Sequence, residues 1–420
     1  MYAITLSSII YLSAFIYPDY LYAGVFVFMT PLIVHESYHG FRAGFAWGLL
    51  FFAGHVAWLR CAVPMFAYLA AVAYFSLYSG FWLWFKKLLD FRYVSKIKNH
   101  NGKCVASCCT WVISTVTFIC LTSYCSMAIF GCLEGYPFIN PLLPLISWSW
   151  YLGPIKYIGV INYWIIVICI NLSIARLYIK FDIKILIFLI MLLSFPIMFS
   201  PFPKKINVRK NDFFYVQPTW HNQKLTAAQM FYRIGRELDL VAIDWPDITF
   251  IVLPESAFPY NLLDWQNKLD VWTSLFDNVT IFIGAHRYEN GKKYNSLYQL
   301  SEGKIIAWYD KQHLMPFVER IVPWLPSGFA NILTTQDKVF SYPDHDQSNI
   351  IIAGFKPMIC SELFCEQKTI ITDKSILFIC NDNWLGLDYA KELAKRHAKL
   401  CSLRYGVSIV YVGGDSWEIM

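Results

Sequence analysis

Long unbroken apolar runs fill the first two hundred positions of the chain, and after them short apolar runs alternate with charge. Runs at roughly 3–17, 20–35, 42–60, 62–85, 107–131, 155–178 and 183–200 read as membrane segments. The first two are short for a ~30 Å hydrocarbon core, which leaves tilted, re-entrant or merged arrangements open for them. No small-residue cleavage site follows the first run, so it reads as an anchor and not a removed signal.

From residue 206 the rhythm changes. "TAAQMFYRIGRELDL" carries apolar residues at helical spacing, and "DITFIVLPESAFP" is a buried strand that stops at a Pro-Glu turn. "NVTIFIGAHRY", "YNSLYQLSEGKIIAWYDK", "FKPMICSELF" and "SILFICNDNWLG" are further β runs bounded by turn residues. "DYAKELAKRHAKLCSLRYG" is a second amphipathic helix, followed by the strand "VSIVYVGG". The pattern predicts two bodies: an α-helical multi-pass membrane domain over 1–201 with about seven segments, then an α/β layered domain over 206–420.

Composition agrees. Of the 420 residues 57% are hydrophobic and 15% charged, against about 25% charged in soluble domains. The net charge of +6 comes from basic residues beside apolar runs, which speaks for membrane topology and against nucleic-acid binding. The 86–106 loop holds Lys86, Lys87, Arg92, Lys96, Lys98 and Lys103, whereas 131–154 holds no Lys or Arg. The positive-inside rule then puts the first loop in the cytoplasm and everything after residue 201 outside. The basic stretch "PFPKKINVRK", 201–210, dissents, and the remaining segments outweigh it.

Two metal-like patterns need weighing. His35-Glu36-Ser37-Tyr38-His39 reads as H-E-x-x-H, which on a helix would bring two histidines to one zinc ion. It falls at the end of a membrane segment with Gly40 behind it, and no third ligand stands out, so it reads as coincidence. Cys104, Cys108 and Cys109 lack a partner pair and read as packing residues. Eight of the twelve cysteines lie in the membrane half, where a thiol behaves as a small apolar group. Neither a metal nor another cofactor is expected.

Three reactive side chains stand at predicted strand ends: Glu255 after "ITFIVLP", Lys311 after "IIAWYD" and Cys360 after "KPMI". A carboxylate beside a thiol can take its proton, and an ammonium can stabilise both a thiolate and an oxyanion. Each alone is an ordinary core or surface residue; together they are the equipment of acyl transfer through a thioester. In "LPESAFP", "YDKQHLMPFVERIVP", "ICSELF" and "NDNWLG" the chain resembles apolipoprotein N-acyltransferases, membrane members of the nitrilase (carbon-nitrogen hydrolase) superfamily.

The resemblance implies an αββα sandwich on the periplasmic face of a bacterial inner membrane. It implies Glu255 as general base, Lys311 as the ion facing the tetrahedral intermediate and Cys360 as nucleophile. Glu319 and Glu362 would support them, with Trp220 and Trp384 as candidates for substrate contact. The implied reaction moves an acyl chain from a phospholipid to Cys360 and on to the amine of a lipoprotein's N-terminal cysteine. Ser361 stands where the family usually has Tyr, Val318 replaces a Gly, and Arg404 replaces a Glu. The chain stops where the family continues with further strands and a membrane helix, so the domain reads as C-terminally shortened. "VSIVYVGG" would then lie near a sheet edge open to a partner chain. In length the chain is similar to TraB-type conjugal-transfer proteins. That leaves an alternative reading: a membrane component whose nitrilase-like domain is an amidase or a non-catalytic docking body.

The lysine and arginine distribution makes one direct prediction. An alkaline-phosphatase fusion after residue 210 should be active and one near Lys98 silent; the reverse pattern would overturn the orientation.

Overall fold

The computed structural model describes residues 1–35, 40–126, 136–198, 209–217, 224–245, 247–274, 276, 278–316, 318–322, 328, 339–365 and 374–420. They form two compact units. One gathers the chain up to about residue 200 with Leu385–Tyr405, and the other holds the intervening stretch to Trp384 with Gly406–Met420.

The first unit is helical. Helix α1 (Tyr2–Ile16) ends at Tyr17, and Pro18, which has no backbone N–H to continue the ladder, opens a segment bent from it by 119°. The two short runs at the start of the chain are therefore one broken pair. Helices α2 (Phe41–His55), α3 (Met65–Leu89), α4 (His100–Cys120), α5 (Val160–Ile179) and α6 (Ile183–Met198) follow. Where the sequence predicts about seven segments, three of the described helical stretches are long and apolar enough to cross a membrane. The bent pair counts as a fourth, and Ile183–Pro196 is a shorter apolar helix. The H-E-x-x-H motif is not placed: His35 follows the short helix Thr30–Val34, and residues 36–39 lie outside the described residues.

Helices in an apolar solvent gain nothing by hiding apolar surface, so close packing and polar contacts must hold them together. Helix α2 supplies the first through Gly44 and Gly48, one turn apart. A Cβ on Gly44 would stand 2.1 Å from the Ser79 carbonyl oxygen, and one on Gly48 would stand 2.7 Å from the Ser76 Cα. Backbone meets backbone at this crossing with α3. Between the glycines, Trp47 is buried and donates its Nε1–H to Ser7 Oγ at 2.9 Å. Trp82 does the same to Thr115 at 3.1 Å.

The predicted C-terminal amphipathic helix, α8 (Asp388–Tyr405), also belongs to this unit. Its Arg396 is buried and makes four polar contacts, to Asp19 at 2.6 Å, Ser147 Oγ at 2.9 Å, Glu392 at 2.8 Å and the Pro144 carbonyl at 3.5 Å. Tyr389 donates its hydroxyl to the Gly54 carbonyl at 2.9 Å. A guanidinium has five donors in a fixed fork, which suits it to gathering several acceptors at once.

The second unit holds two sheets. Strands β1 (Phe213–Tyr215), β2 (Phe250–Val252), β3 (Phe258–Asn261), β4 (Thr280–Glu289), β5 (Lys292–Ser301) and β6 (Lys304–Asp310) form the first, in the order β1-β2-β4-β5-β6 with β3 also on β4. Strands β7 (Lys356–Ile359), β8 (Ile376–Ile379), β9 (Ile409–Val412) and β10 (Trp417–Ile419) form the second, parallel except for β10. Helix α7 (Ala227–Asp244) starts at a capping box in which Thr226 and Gln229 exchange hydrogen bonds. It packs Phe231, Ile234 and Leu238 against Ile251, Ile281 and Ile283 of the first sheet.

The other face of that sheet buries Val252, Phe282 and Leu297 against Ile359, Leu377 and Val410 of the second. These are the α/β layers the alternating pattern predicts. Strand β9 lies one strand in from the edge, because the chain turns at Gly413-Gly414 and returns as β10.

The α2–α3 crossing can be tested by filling it. Gly44→Val should lower the thermal midpoint in detergent by several degrees, since overpacking costs about 1–3 kcal/mol. Leu49→Val, on an exposed position of the same helix, should leave the midpoint nearly unchanged. Equal midpoints for the two variants would contradict the close crossing.

Candidate active site

Strands β2 and β3 both pair with the same edge of β4, and the chain between them leaves the sheet to carry Glu255. Gly284 of β4 makes the room: a Cβ there would lie 2.4 Å from the Pro254 carbonyl oxygen and 2.6 Å from the Glu255 Cα. Lys311 follows β6 directly, and its backbone N–H donates to the Asn295 carbonyl at 2.8 Å. Cys360 follows β7 with φ at +48°, in the left-handed region that a residue with a Cβ occupies only when its surroundings hold it there. Each of the three thus sits where a strand stops, and its side chain leaves the ladder.

The side chains converge. Lys311 Nζ donates to Glu319 Oε1 at 2.8 Å and to Glu255 Oε1 at 3.2 Å. Asn295 Nδ2 donates to the same two oxygens, at 2.7 Å for Glu255 and 2.9 Å for Glu319. The second oxygen of Glu255 accepts the backbone N–H of Asn381 at 2.8 Å, and that of Glu319 accepts from Met315 at 2.8 Å. Glu255, Lys311 and Glu319 all lie close enough to Cys360 to act on its thiol electrostatically. Glu255, Lys311, Glu319 and Asn295 are all buried, and Cys360 is half-buried.

Charge follows from that geometry. Burial works against the Lys311 ammonium, but Cys360, Glu255 and Glu319 more than offset it and hold its pKa well above the ordinary lysine range. Burial pushes the Cys360 thiol well up, the two carboxylates push the same way, and Lys311 only partly opposes them. Two carboxylates face one ammonium, so a resting thiolate would be a second uncompensated negative charge. Cys360 therefore rests as a thiol and needs a base at the moment of attack; Glu255 is the carboxylate that acts on it most strongly.

The surroundings fix the strand ends. Glu362 accepts from Tyr309 Oη at 2.8 Å, from the Gln312 N–H at 2.6 Å and from the Ile359 N–H at 2.7 Å. It so ties the end of β6 to the end of β7. Burial pushes its pKa up to about 7, against the pull of those three donors and of Lys311. Ser361 donates its hydroxyl to the His313 carbonyl at 2.6 Å, which fastens the loop after Lys311 to the turn that carries Cys360. On the opposite face of the first sheet Arg287 grips Asp310 through two bonds, at 3.0 and 2.7 Å, immediately before Lys311.

Of the residues singled out from the sequence, Glu255, Lys311, Cys360 and Glu319 come together, and Glu362 braces them. Trp384 is half-buried in the turn Asp382–Leu385, three residues beyond Asn381. Trp220 lies outside the described residues. Asn295 was missed. Its signal was its position, since an amide side chain is disfavoured inside a strand unless something there needs it.

Over part of its length the chain is similar to proteins named apolipoprotein N-acyltransferase. It is 34% identical over 167 residues to the apolipoprotein N-acyltransferase of Rhizobium rhizogenes, covering 34% of this chain and 29% of that one. To that of Rhizobium leguminosarum bv. trifolii it is 33% identical over 189 residues, covering 39% and 33%. To that of Vibrio vulnificus it is 27% identical over 207 residues, covering 45% and 40%. The matches thus span about a third of the length of the first two of these relatives.

No family model matches the chain. Among solved structures, a carbon-nitrogen hydrolase from Helicobacter pylori G27 aligns at a TM-score of 0.32 and 13% identity, over 48% of this chain and 72% of that one. Saccharomyces cerevisiae Nit3 aligns at 0.31 and 14%, over 47% and 74%. Likenesses this slight carry no argument.

Proposed function

We propose that the protein is a membrane-bound N-acyltransferase that works through a thioester on Cys360. The observation that carries this reading is the buried ion cluster of Lys311 with Glu255 and Glu319, with the half-buried Cys360 beside it. In the first half-reaction Glu255 takes the thiol proton as Sγ attacks the ester carbonyl of a phospholipid. The C–S bond forms, the C–O bond breaks, and Glu255 returns the proton to the departing alkoxide. Lys311, held by Glu255 and Glu319, faces the oxyanion of the tetrahedral intermediate. In the second half-reaction an amine attacks the thioester, the C–N bond forms as C–S breaks, and the amine proton passes through Glu255 to the sulfur.

The acceptor class follows from the relatives' name: an amine at the N-terminus of a lipoprotein. The setting is a bacterial inner membrane with the catalytic unit on the periplasmic face, which the basic 86–106 loop supports.

Supplied with phospholipid, the protein should form a hydroxylamine-sensitive acyl adduct. Cys360→Ala should abolish it, and Cys365→Ala or Cys401→Ala should leave it in place. Glu255→Gln should slow its formation ~10²–10⁴-fold, the usual worth of general-base help. Mass spectrometry of the intact protein reads the adduct; its persistence in Cys360→Ala would overturn the assignment of the nucleophile.

A further inference from the structure

One lone pair of the general base is left free, and a single donor decides where it points. Oε1 of Glu255 accepts from Lys311 Nζ at 3.2 Å and from Asn295 Nδ2 at 2.7 Å, which uses both of its lone pairs. Oε2 accepts the backbone N–H of Asn381 at 2.8 Å, its one backbone donor among the described residues. The other lone pair of Oε2 is therefore the place for the thiol proton, and the Asn381 N–H fixes the rotation of the carboxylate that presents it. Strands β7 and β8 pair in parallel with Ile359 opposite Ile379. Cys360 and the run Cys380-Asn381-Asp382 thus leave the sheet from neighbouring strand ends, about 5 Å apart.

On either side of Asn381 the chain is tied to β9 or to the turn after it. Cys380 donates its N–H to the Val412 carbonyl at 2.9 Å. Asp382 is buried, and its carboxylate accepts the Tyr411 hydroxyl at 3.0 Å on one oxygen and the Gly414 N–H at 2.7 Å on the other. Two neutral donors satisfy this charge, and no cation pairs with it among the described residues. The fold thus keeps a buried carboxylate here despite its desolvation penalty. The turn that receives it is shaped to fit. A Cβ on Gly413 would stand 2.6 Å from Asp382 Oδ2, and one on Gly414 would stand 2.4 Å from Asn383 Nδ2. Tyr215 Oη of β1 lies 2.9 and 2.7 Å from the Gly413 and Gly414 carbonyls and shares its proton between them, which fastens the turn to the first sheet.

A turn that only reverses the chain needs no buried charge. Asp382 stands one residue beyond the N–H that meets the base, and its bonds to Tyr411 and Gly414 fix the backbone there. We propose that Asp382 is a positioning residue for acyl transfer: clamped between Tyr411 and Gly414, it holds the Asn381 N–H on Glu255 Oε2 and so sets the free lone pair of the base for the thiol proton. Without the clamp the N–H is released and the carboxylate turns about its Cγ–Cδ bond. Proton transfer from Sγ then slows while phospholipid still binds. This deepens the acyl-transfer reading and rests on it for the reaction, though not for the clamp itself.

Coupling to the base separates positioning from packing. Thioester formation from phospholipid is followed by intact-protein mass in the wild type, Asp382→Ala, Asp382→Asn and Tyr411→Phe, each alone and combined with Glu255→Gln. Asp382→Ala should lower kcat about tenfold or more, the worth of one hydrogen bond to a charged group, with the KM for phospholipid little changed. Asp382→Asn, whose oxygen still accepts one bond, should recover part of the loss, and Tyr411→Phe, which removes only a hydroxyl, should show a smaller loss of the same kind. In the Glu255→Gln background each substitution should lower the rate by less than about twofold, because the group it positions is gone. Losses that multiply in full would make Asp382 a packing residue, and an unchanged kcat in Asp382→Ala would leave it no role. Either result overturns the proposal.

Amide hydrogen exchange reads the clamp apart from the acyl chemistry. In Cys360→Ala protein the Asn381 amide, followed by NMR, should exchange at least about tenfold faster once Tyr411→Phe or Asp382→Asn is added, while the Leu377 and Phe378 amides inside β8 keep their protection. Protection lost along all of β8 would mean general loosening, and unchanged exchange at Asn381 would mean that its N–H does not depend on Asp382. Both outcomes overturn the proposal, whereas a wild type that forms no thioester would overturn only the proposed function.

Discussion

A lysine ammonium taken out of water is costly unless its partners are in place before it arrives. Lys311 meets that condition, with one carboxylate on each side and Asn295 bridging the same two oxygens. Each partner comes from a different part of the chain. Glu255 lies in the gap between β2 and β3, Asn295 within β5, and Glu319 in the turn closed by the Met315 carbonyl. The charges and Asn295 all belong to the first sheet and the loops leaving it, while Cys360 and the Asn381 N–H come from the second, so the thiol reaches the charges only when the two sheets are stacked. Glu362, which clips β6 to β7, and Ser361, which clips the Lys311 loop to the Cys360 turn, are the bonds that keep that stacking. Removing any one carboxylate would therefore act on the thiol and on the ammonium together, because the buried charges are shared.

Legibility in the sequence followed the strength of the local signal. The strand ends carrying Glu255, Lys311 and Cys360 were readable because a reactive side chain directly after an apolar run has few structural reasons to be there. The layered α/β pattern was readable from the alternation of periods, and α7 from the helical spacing of its apolar residues. Asn295 was not singled out, since nothing within "YNSLYQL" shows that the next strands bring two carboxylates to its amide.

The helical half shows the limits of hydropathy in another way. Seven apolar runs were counted, but length alone does not say whether a run is straight. Pro18 breaks the first pair, and α2, whose glycines allow backbone contact with α3, is only fifteen residues long. The amphipathic segment 388–405 has the pattern of a helix on any surface. Within the unit it joins, Arg396 reaches Asp19 and Ser147, residues more than two hundred positions away. Charge at a helix centre is legible; the distant acceptor it serves is not.

The central claim is that the cluster keeps Cys360 as a thiol until Glu255 removes its proton. The pH dependence of Cys360 alkylation by iodoacetamide tests it most directly, followed residue by residue by peptide mass spectrometry. Alkylation should be slow near neutrality and still rising above about pH 9, beyond the range of an ordinary thiol. In Glu255→Gln one negative charge is gone, so the same curve should move to lower pH even though acyl transfer is impaired. Fast alkylation at pH 6–7 with an early plateau in the wild type would mean a resting thiolate paired with Lys311, and would contradict the account.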